Sequence, residues 1–120
     1  MTTAPQVVYD GGIAAHELRF QRCRSCEELV FYPRVLCPGC GGTDLAWERS
    51  EGRGVVYSTT TVRHRDGDYD VSLIDLDEGF RMMSRVLGEP DEVRIGERVV
   101  VEFAELDGRP AAVFRKEVDR

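Results

Sequence analysis

The stretch QRCRSCEELVFYPRVLCPGCGG, residues 21–42, holds every cysteine of the chain. The four cysteines form two C-x-x-C pairs with ten residues between the pairs: Cys23 and Cys26, then Cys37 and Cys40. Two thiolates three positions apart can bind one metal ion from a tight turn, and a second such turn completes the tetrahedron of ligands that zinc favours. The spacing therefore predicts one zinc ion bound by all four cysteines in two knuckles joined by a short hairpin, which is a zinc ribbon.

The residues around the two pairs suit such turns unequally. Gly41 follows the second pair, where a turn favours positive φ, and Pro38 presets φ within that turn. Glu27 stands after the first pair, at the position where a glycine is expected, and Pro33 is placed to bend the apolar spacer LVFYPRVL. The first knuckle therefore departs in sequence from the second.

Other uses of the four cysteines explain the pattern less well. A thioredoxin-like redox centre needs one C-x-x-C and leaves the second pair unexplained. A catalytic zinc usually keeps one coordination position open, whereas four thiolates close the shell. His16 and His64 are the other good ligands of the chain, and neither is needed. The zinc is therefore predicted to be structural.

The start of the chain and its hydropathy predict a cytoplasmic protein. No basic segment followed by a short apolar stretch opens the sequence, and no apolar run is long enough to span a bilayer. Thiols are kept reduced in the cytoplasm, which argues against structural disulfides. We expect no membrane association.

Length and charge limit the class of protein. The chain has 120 residues, a length that fits one small domain or one small core with a metal-bound extension. Its formal net charge is −6. A generic binder of nucleic-acid phosphates needs a basic stripe, so the acidity argues against one, although a local basic pocket stays open.

The chain after the ribbon is rich in β-branched residues and turn signals. Its predicted strands cover residues 54–64, 70–76, 80–87, 97–106 and 111–117. Five strands with a longer connection between the third and fourth match the OB-fold. We predict a mainly β protein with a lead that holds a short helix or runs straight into the ribbon, a rubredoxin-like zinc ribbon, and a five-stranded OB-fold barrel, at residues 1–19, 20–48 and 49–120.

Five stretches carry a family resemblance, in the family's order, and cover nearly the whole chain after about residue 17: LRFQRCRSC, FYPRVLCPGCG, GRGVVYSTTTV, LDEGFRMMSRVLG and VRIGERVVVEF. They resemble the zinc-ribbon/OB-fold proteins associated with acyl-CoA enzymes, long known as domain of unknown function number thirty-five. Glu27 and the short N-terminal lead depart from the family's pattern, which often has a longer helical lead.

The resemblance implies a non-catalytic accessory subunit of a thiolase-like condensing or lyase enzyme, which in some members helps form a shared acyl-CoA site. It also implies that the four cysteines are the zinc ligands. We expect Phe31, Tyr32 and Arg34, on the hairpin between the knuckles, to contact the partner or its ligand. Packing of Phe31 and Tyr32 between ribbon and barrel is the alternative.

Two arginines of the third predicted strand are further candidates for ligand contact. Arg81 and Arg85 share one face of the alternating segment 80–87, roughly 13 Å apart along a strand. They could bind CoA phosphates, although solvent-facing arginines are common.

The sequence offers no catalytic pattern that would compete with the accessory role. No nucleophile and base stand together with a thiol to spare, and His64, beside a charged turn, is expected to be solvated. The acidic run at residues 75–79 reads as a strand end with a turn. We predict that the protein is not an enzyme by itself.

A nucleic-acid-binding module is the second functional class, because zinc ribbons and OB-folds are both used in that way. Such a module needs a basic groove with stacking aromatic residues, which the acidic composition does not favour.

Overall fold

A computed structural model of the protein describes residues 4–106 and 108–117. The chain divides into two compact units, Met1–Glu51 and Gly52–Arg120. The first unit contains a helix and three strands: α1 (Pro5–Ala14), β1 (Arg19–Cys23), β2 (Leu29–Val30) and β3 (Leu45–Arg49). The second contains five strands and a 3-10 helix at Pro90–Glu92: β4 (Arg53–Val62), β5 (Tyr69–Leu76), β6 (Arg81–Ser84), β7 (Arg98–Leu106) and β8 (Arg109–Lys116). The predicted mainly β class is confirmed.

The N-terminal lead holds a helix that is bound to the ribbon. Pro5 stands in the first turn of α1, where its missing N–H is not needed. Ile13 is buried at the other end of the helix, and Arg19 of β1 donates from Nη1 to the carbonyl oxygen of Val8 at 3.1 Å. The helix ends at Ala14, and the first ribbon strand begins at Arg19. No helix among residues 4–106 and 108–117 is long and apolar enough to cross a membrane.

The ribbon sheet has β1 at its centre, paired antiparallel with β2 on one side and β3 on the other. The first knuckle therefore lies in the turn between β1 and β2. The spacer does not form the expected hairpin. β2 ends at Val30, and residues 31–36 form a loop. Pro33 has no N–H to donate, and the buried side chain of Gln21 bonds the backbone of Arg34 in place of a partner strand.

The second unit has the strand order β6-β5-β4-β7-β8, with every neighbouring pair antiparallel. The sheet curls until the chain beyond β6 meets β8: Val86 pairs parallel with Phe114. Phe114 N donates to the carbonyl oxygen of Arg85 at 2.8 Å, and Leu87 N donates to that of Phe114 at 2.7 Å. A bulge in β4 between Val56 and Ser58 adds to the curl. The predicted OB-fold is confirmed.

The barrel core is built by alternation along the strands. Every second residue of β5 is buried, and in the segment after it Phe80, Met82 and Val86 are buried whereas Met83 is exposed, as the alternation predicted. β6 ends earlier than predicted, at Ser84, because the N–H of Val86 bonds the buried carboxylate of Asp70 instead of a neighbouring strand.

Candidate metal centre and ribbon loop

The two knuckles bring all four cysteine sulfurs together. The Sγ atoms lie within 4.8 Å of one another, with 3.6 Å between those of Cys23 and Cys40 and 3.6 Å between those of Cys26 and Cys37. A tetrahedron with Zn–S bonds of about 2.3 Å has edges of about 3.8 Å, so the cluster fits a single zinc ion. Four thiolates fill the coordination shell of that ion, which makes the zinc structural.

The two knuckles have the same backbone geometry despite their different sequences. Glu27 N donates to the carbonyl oxygen of Cys23 at 2.8 Å, and Gly41 N donates to that of Cys37 at 2.9 Å. Glu27 has a φ of 65° and Gly41 a φ of 76°, so both lie in the left-handed region. Glu27 thus adopts the conformation for which a glycine was expected, at an energetic cost in the backbone.

Backbone amides surround the sulfurs and favour their charged form. Gly39 N and Gly42 N each donate to a sulfur, of Cys37 and Cys40 respectively, at 3.4 Å. The Cys26 amide, the largest of several influences, lowers the pKa of the Cys23 thiol to about 7. Several backbone donors aimed at one cluster are typical of a site for thiolates.

The sulfurs also oppose one another's ionisation. The Glu28 amide lowers the pKa of the Cys26 thiol, but the neighbouring Cys37 thiol and burial outweigh it and raise that pKa to about 12. Four negative charges at this separation therefore require a cation. A bound zinc ion would supply that charge and hold both knuckles closed.

The two aromatic residues of the ribbon loop have different surroundings. The Phe31 ring lies 5.5 Å from the Tyr9 ring of α1, in an edge-to-face arrangement, and 4.6 Å from the Tyr32 ring. Burial raises the pKa of Tyr9 to about 12. Tyr32 is 49% exposed. Phe31 is thus an anchor of the loop on the helix, and Tyr32 is the ring that the loop presents; their contact with a partner stays a prediction.

Two buried polar residues were missed by sequence reasoning. Gln21 is 2% exposed and bonds the backbone of Arg34. Asp70 is 3% exposed and accepts from Val86 N at 2.9 Å and from the Ser72 hydroxyl at 2.6 Å. A carboxylate within the β-prone segment DVSLIDL was the available signal for Asp70, whereas β1, with the sequence RFQRC, offers none for Gln21. Neither sequence says which backbone group the side chain will meet.

Arg81 and Arg85 lie in the second unit, whereas Phe31, Tyr32 and Arg34 belong to the first. Arg81 pairs with the carboxylate of Asp75, Nη2 to Oδ2 at 3.1 Å, and lies 3.5 Å over the Tyr57 ring. Arg85 lies 4.4 Å over the Tyr69 ring. Their contact with phosphates stays a prediction.

His64 and the acidic run have the surroundings that the sequence indicated. The His64 side chain is 52% exposed, and its Nδ1 accepts from Asp66 N at 3.1 Å. The acidic run spans the end of β5 and the turn after it, where Asp77 forms an ion pair with Arg98 at 2.8 Å, which lowers the pKa of the Asp77 carboxyl. These groups thus make local contacts at turns of the second unit.

The sequence and the fold of this chain were compared with those of known proteins. The family described as "ChsH2, rubredoxin-like zinc ribbon domain" matches residues 11–46, and "ChsH2, C-terminal OB-fold domain" matches residues 47–104. A chain of the solved "Ltp2-ChsH2(DUF35) aldolase" is 30% identical and superposes with a TM-score of 0.83 over 98% of both chains.

Two sequence relatives differ in length from this chain. A "probable enoyl-CoA hydratase alpha subunit" of Thermomonospora curvata is 35% identical over 96 residues, which cover 75% of this chain and 30% of the relative. A "DUF35 domain-containing scaffold protein" of Methanothermobacter thermautotrophicus is 28% identical over 99 residues, 76% of this chain and 74% of the relative. The chain thus spans less than a third of the first relative's length.

Proposed function

Because the chain belongs to the ChsH2 (DUF35) family of zinc-ribbon/OB-fold proteins, we propose that it is a non-catalytic companion subunit that docks on a thiolase-like acyl-CoA enzyme. The observation that carries this proposal is the similarity, over nearly the whole of both chains, to a chain of the Ltp2-ChsH2(DUF35) aldolase. The name scaffold protein in a second relative supports the same role.

The chemistry of the chain agrees with a companion role. All four cysteines belong to the metal cluster, so no thiol is left to act as a nucleophile. The zinc would be held by four thiolates, which leaves no coordination position for water or substrate. The reaction of the complex would therefore take place on residues of the partner enzyme.

The relative named as a hydratase subunit adds acyl-CoA hydratases to the partner enzymes that this proposal includes. The part of that protein which this chain matches is 30% of its length, so the hydratase name does not carry a hydratase mechanism onto this chain. It fits a ribbon and barrel that accompany acyl-CoA hydratases as well as thiolase-like enzymes. The proposal places the complex in the cytoplasm, where thiols stay reduced.

A contribution to acyl-CoA binding would come from the OB unit. Arg85 is the better placed of its two candidates, because no carboxylate in the described part of the chain pairs with it, whereas Arg81 is already neutralised by Asp75. A guanidinium held over an aromatic ring keeps its outer donors for a phosphate.

Surface charge speaks against the nucleic-acid alternative. Many of the arginines lie beside carboxylates, so their charge is locally cancelled; examples are Arg22 with Glu48, Arg63 with Asp68 and Asp91, and Arg98 with Asp77. A binder of phosphate backbones releases counterions by presenting unpaired cations in a row.

Purification of the tagged chain from its host, followed by mass spectrometry and activity assays, tests the proposal. We expect an acyl-CoA enzyme at a constant ratio to the chain, and turnover of acyl-CoA thioesters by the complex. The chain alone should give no thiolysis, hydration or condensation. Steady catalysis by the pure chain that a point substitution in it abolishes would overturn the proposal, and so would a preparation in which no acyl-CoA enzyme is recovered.

A further inference from the structure

A continuous groove crosses the surface of the ribbon unit. One open concavity of about 500 Å³ lies between the start of α1 and the loop at residues 33–36. A second, of about 350 Å³, extends from there to β3. Pro5, Arg34 and Val35 line both concavities, so the two form one depression. We call it the ribbon groove; its principal lining residues are Pro5, Arg34, Val35, Leu36, Leu45 and Trp47.

One wall of the ribbon groove is apolar and is held firmly in place, whereas Gln21 and Thr43 are polar residues of the second concavity. Val35 is 67% and Leu36 51% exposed, in a loop that is fixed at both ends. Gln21 bonds the backbone of Arg34 before them, and Cys37 belongs to the metal cluster directly after them. Exposed apolar side chains on a rigid support are typical of an interaction surface, because little entropy is lost when a partner binds.

Arg34 supplies the charge of the groove. It is the one charged residue among those that line the two concavities. Three other arginines of the ribbon form ion pairs within it, namely Arg19 with Glu17, Arg22 with Glu48 and Arg24 with Asp44. Within residues 4–106 and 108–117, no carboxylate forms an ion pair with Arg34. The groove thus offers apolar contact around one unneutralised guanidinium.

We propose that the ribbon groove binds a segment of the partner enzyme in which apolar side chains flank an aspartate or glutamate, with that carboxylate paired to Arg34. This inference rests on the proposed function and adds the chemistry of the contact to it. A guanidinium pairs best with a carboxylate through two parallel hydrogen bonds, and arginine is among the residues that contribute most at interface centres.

Other occupants match the groove less well. The CoA moiety carries several phosphate charges, which a single arginine in an apolar, otherwise uncharged groove cannot balance. A second copy of the chain, related by a two-fold axis through the groove, would place Arg34 against Arg34. A protein segment with apolar side chains around one carboxylate can pack against the apolar wall and also pair with the Arg34 guanidinium.

Charge reversal at Arg34 tests the inference, with the co-purified acyl-CoA enzyme as the probe. The backbone bonds between Gln21 and Arg34 do not depend on the Arg34 side chain, so the variant should keep its fold and its zinc. We expect Arg34→Glu to weaken binding of the purified enzyme at least about tenfold in calorimetry, and Arg34→Gln to weaken it less. Arg49→Glu is the matched control, since Arg49 is exposed on β3 but does not line the groove; it should change affinity less than about twofold.

A photo-crosslinking residue at position 35 identifies the segment. We expect a cross-link to a peptide of the enzyme that contains an aspartate or glutamate, and substitution of that residue by arginine should restore binding to Arg34→Glu. Unchanged affinity of Arg34→Glu, or a cross-link between two copies of this chain, would overturn the inference while leaving the companion role intact. If wild type recovers no acyl-CoA enzyme, both proposals fail.

Discussion

The buried side-chain amide of Gln21 forms two hydrogen bonds with the backbone of Arg34, one through its nitrogen and one through its oxygen. Gln21 Nε2 donates to the carbonyl oxygen of Arg34 at 2.9 Å, and Arg34 N donates to Gln21 Oε1 at 2.8 Å. These are the two bonds that a neighbouring strand would make. A single side chain of β1 therefore holds the loop that carries the exposed part of the ribbon groove.

Replacing Gln21 should loosen that loop without removing the metal. In Gln21→Leu the N–H and C=O of Arg34 lose their partners, so we expect the free energy of unfolding of the ribbon to fall by about 1–3 kcal/mol. The chain has one tryptophan, Trp47 in β3, so urea denaturation followed by its fluorescence reports on this unit. Gln6→Leu is the control, because Gln6 makes an exposed bond to Asp10 within α1 and should change stability by a few tenths of a kcal/mol at most. Equal stability of the two variants would contradict the role given to Gln21.

The matching knuckles predict opposite effects of glycine at equivalent positions. Glu27→Gly should raise the free energy of unfolding by up to about 1 kcal/mol, since relief of left-handed strain exceeds the entropy that glycine adds to the unfolded chain. Gly41→Ala should lower it by about 1 kcal/mol, because the new Cβ would meet no atom within 4 Å and backbone strain alone remains. Chemical denaturation of the zinc-loaded variants measures both. A loss of stability in Glu27→Gly would show that the Glu27 side chain contributes more than its backbone costs.

Substitutions of Tyr32 and Phe31 should distinguish an effect on partner binding from an effect on folding. Tyr32→Ala removes an exposed ring, so we expect unchanged zinc content and stability but at least about tenfold weaker binding of the partner enzyme. Phe31→Ala removes the edge-to-face contact with Tyr9 and should also destabilise the ribbon, by about 0.5–1.5 kcal/mol beyond the lost burial. The double variant should keep its metal and its barrel. Recovery of the partner by Tyr32→Ala at the wild-type level would move the contact elsewhere on the chain.

The metal cluster should contain one zinc ion per chain. Elemental analysis of protein purified without chelator under reducing conditions measures this number. Cys37→Ser removes a buried ligand, so it should lower the zinc content and destabilise the ribbon, because metal binding and folding are coupled in such sites. Ser25→Ala, which changes a residue inside the first knuckle that is not a ligand, should retain the metal. Zinc content near zero in the wild type, or a disulfide between the pairs, would contradict a structural zinc site.

Asp70 should stabilise the barrel through the N–H of Val86. Asp70→Ala leaves that N–H without its acceptor and removes one of the two hydroxyl partners of Ser72, the other being Thr59, so we expect a loss of at least about 2 kcal/mol in the free energy of unfolding. Asp75→Ala breaks a largely exposed pair with Arg81 and should cost less than about 1 kcal/mol. Hydrogen exchange of the Val86 amide checks the mechanism, because protection there should fall in the first variant only.

The zinc ribbon and the OB-fold were predictable because each depends on a local pattern. Thiolates at C-x-x-C spacing need only a tight turn, and alternation over residues 80–87 places Phe80, Met82 and Val86 on one face whatever the strand pairs with. The loop at residues 31–36 was less predictable. Its apolar residues suggested a hairpin, but β-propensity could not reveal that a side chain of β1 would take the place of a strand.

The sequence by itself determined the four-cysteine zinc cluster, the mainly β class and the positions of the barrel strands along the chain, since these follow from short-range spacing and periodicity. The tertiary structure decided which polar groups meet across the fold: Gln21 with Arg34, Asp70 with Val86, and most ribbon arginines with carboxylates, whereas no carboxylate in the described part of the chain pairs with Arg34. Apart from Arg19 and Glu17, these pairs join residues thirteen or more positions apart, as Gln21 and Arg34 are. Hydrogen bonds and ion pairs act over a few ångströms, so their partners are set by how the strands fold together and not by neighbours along the chain.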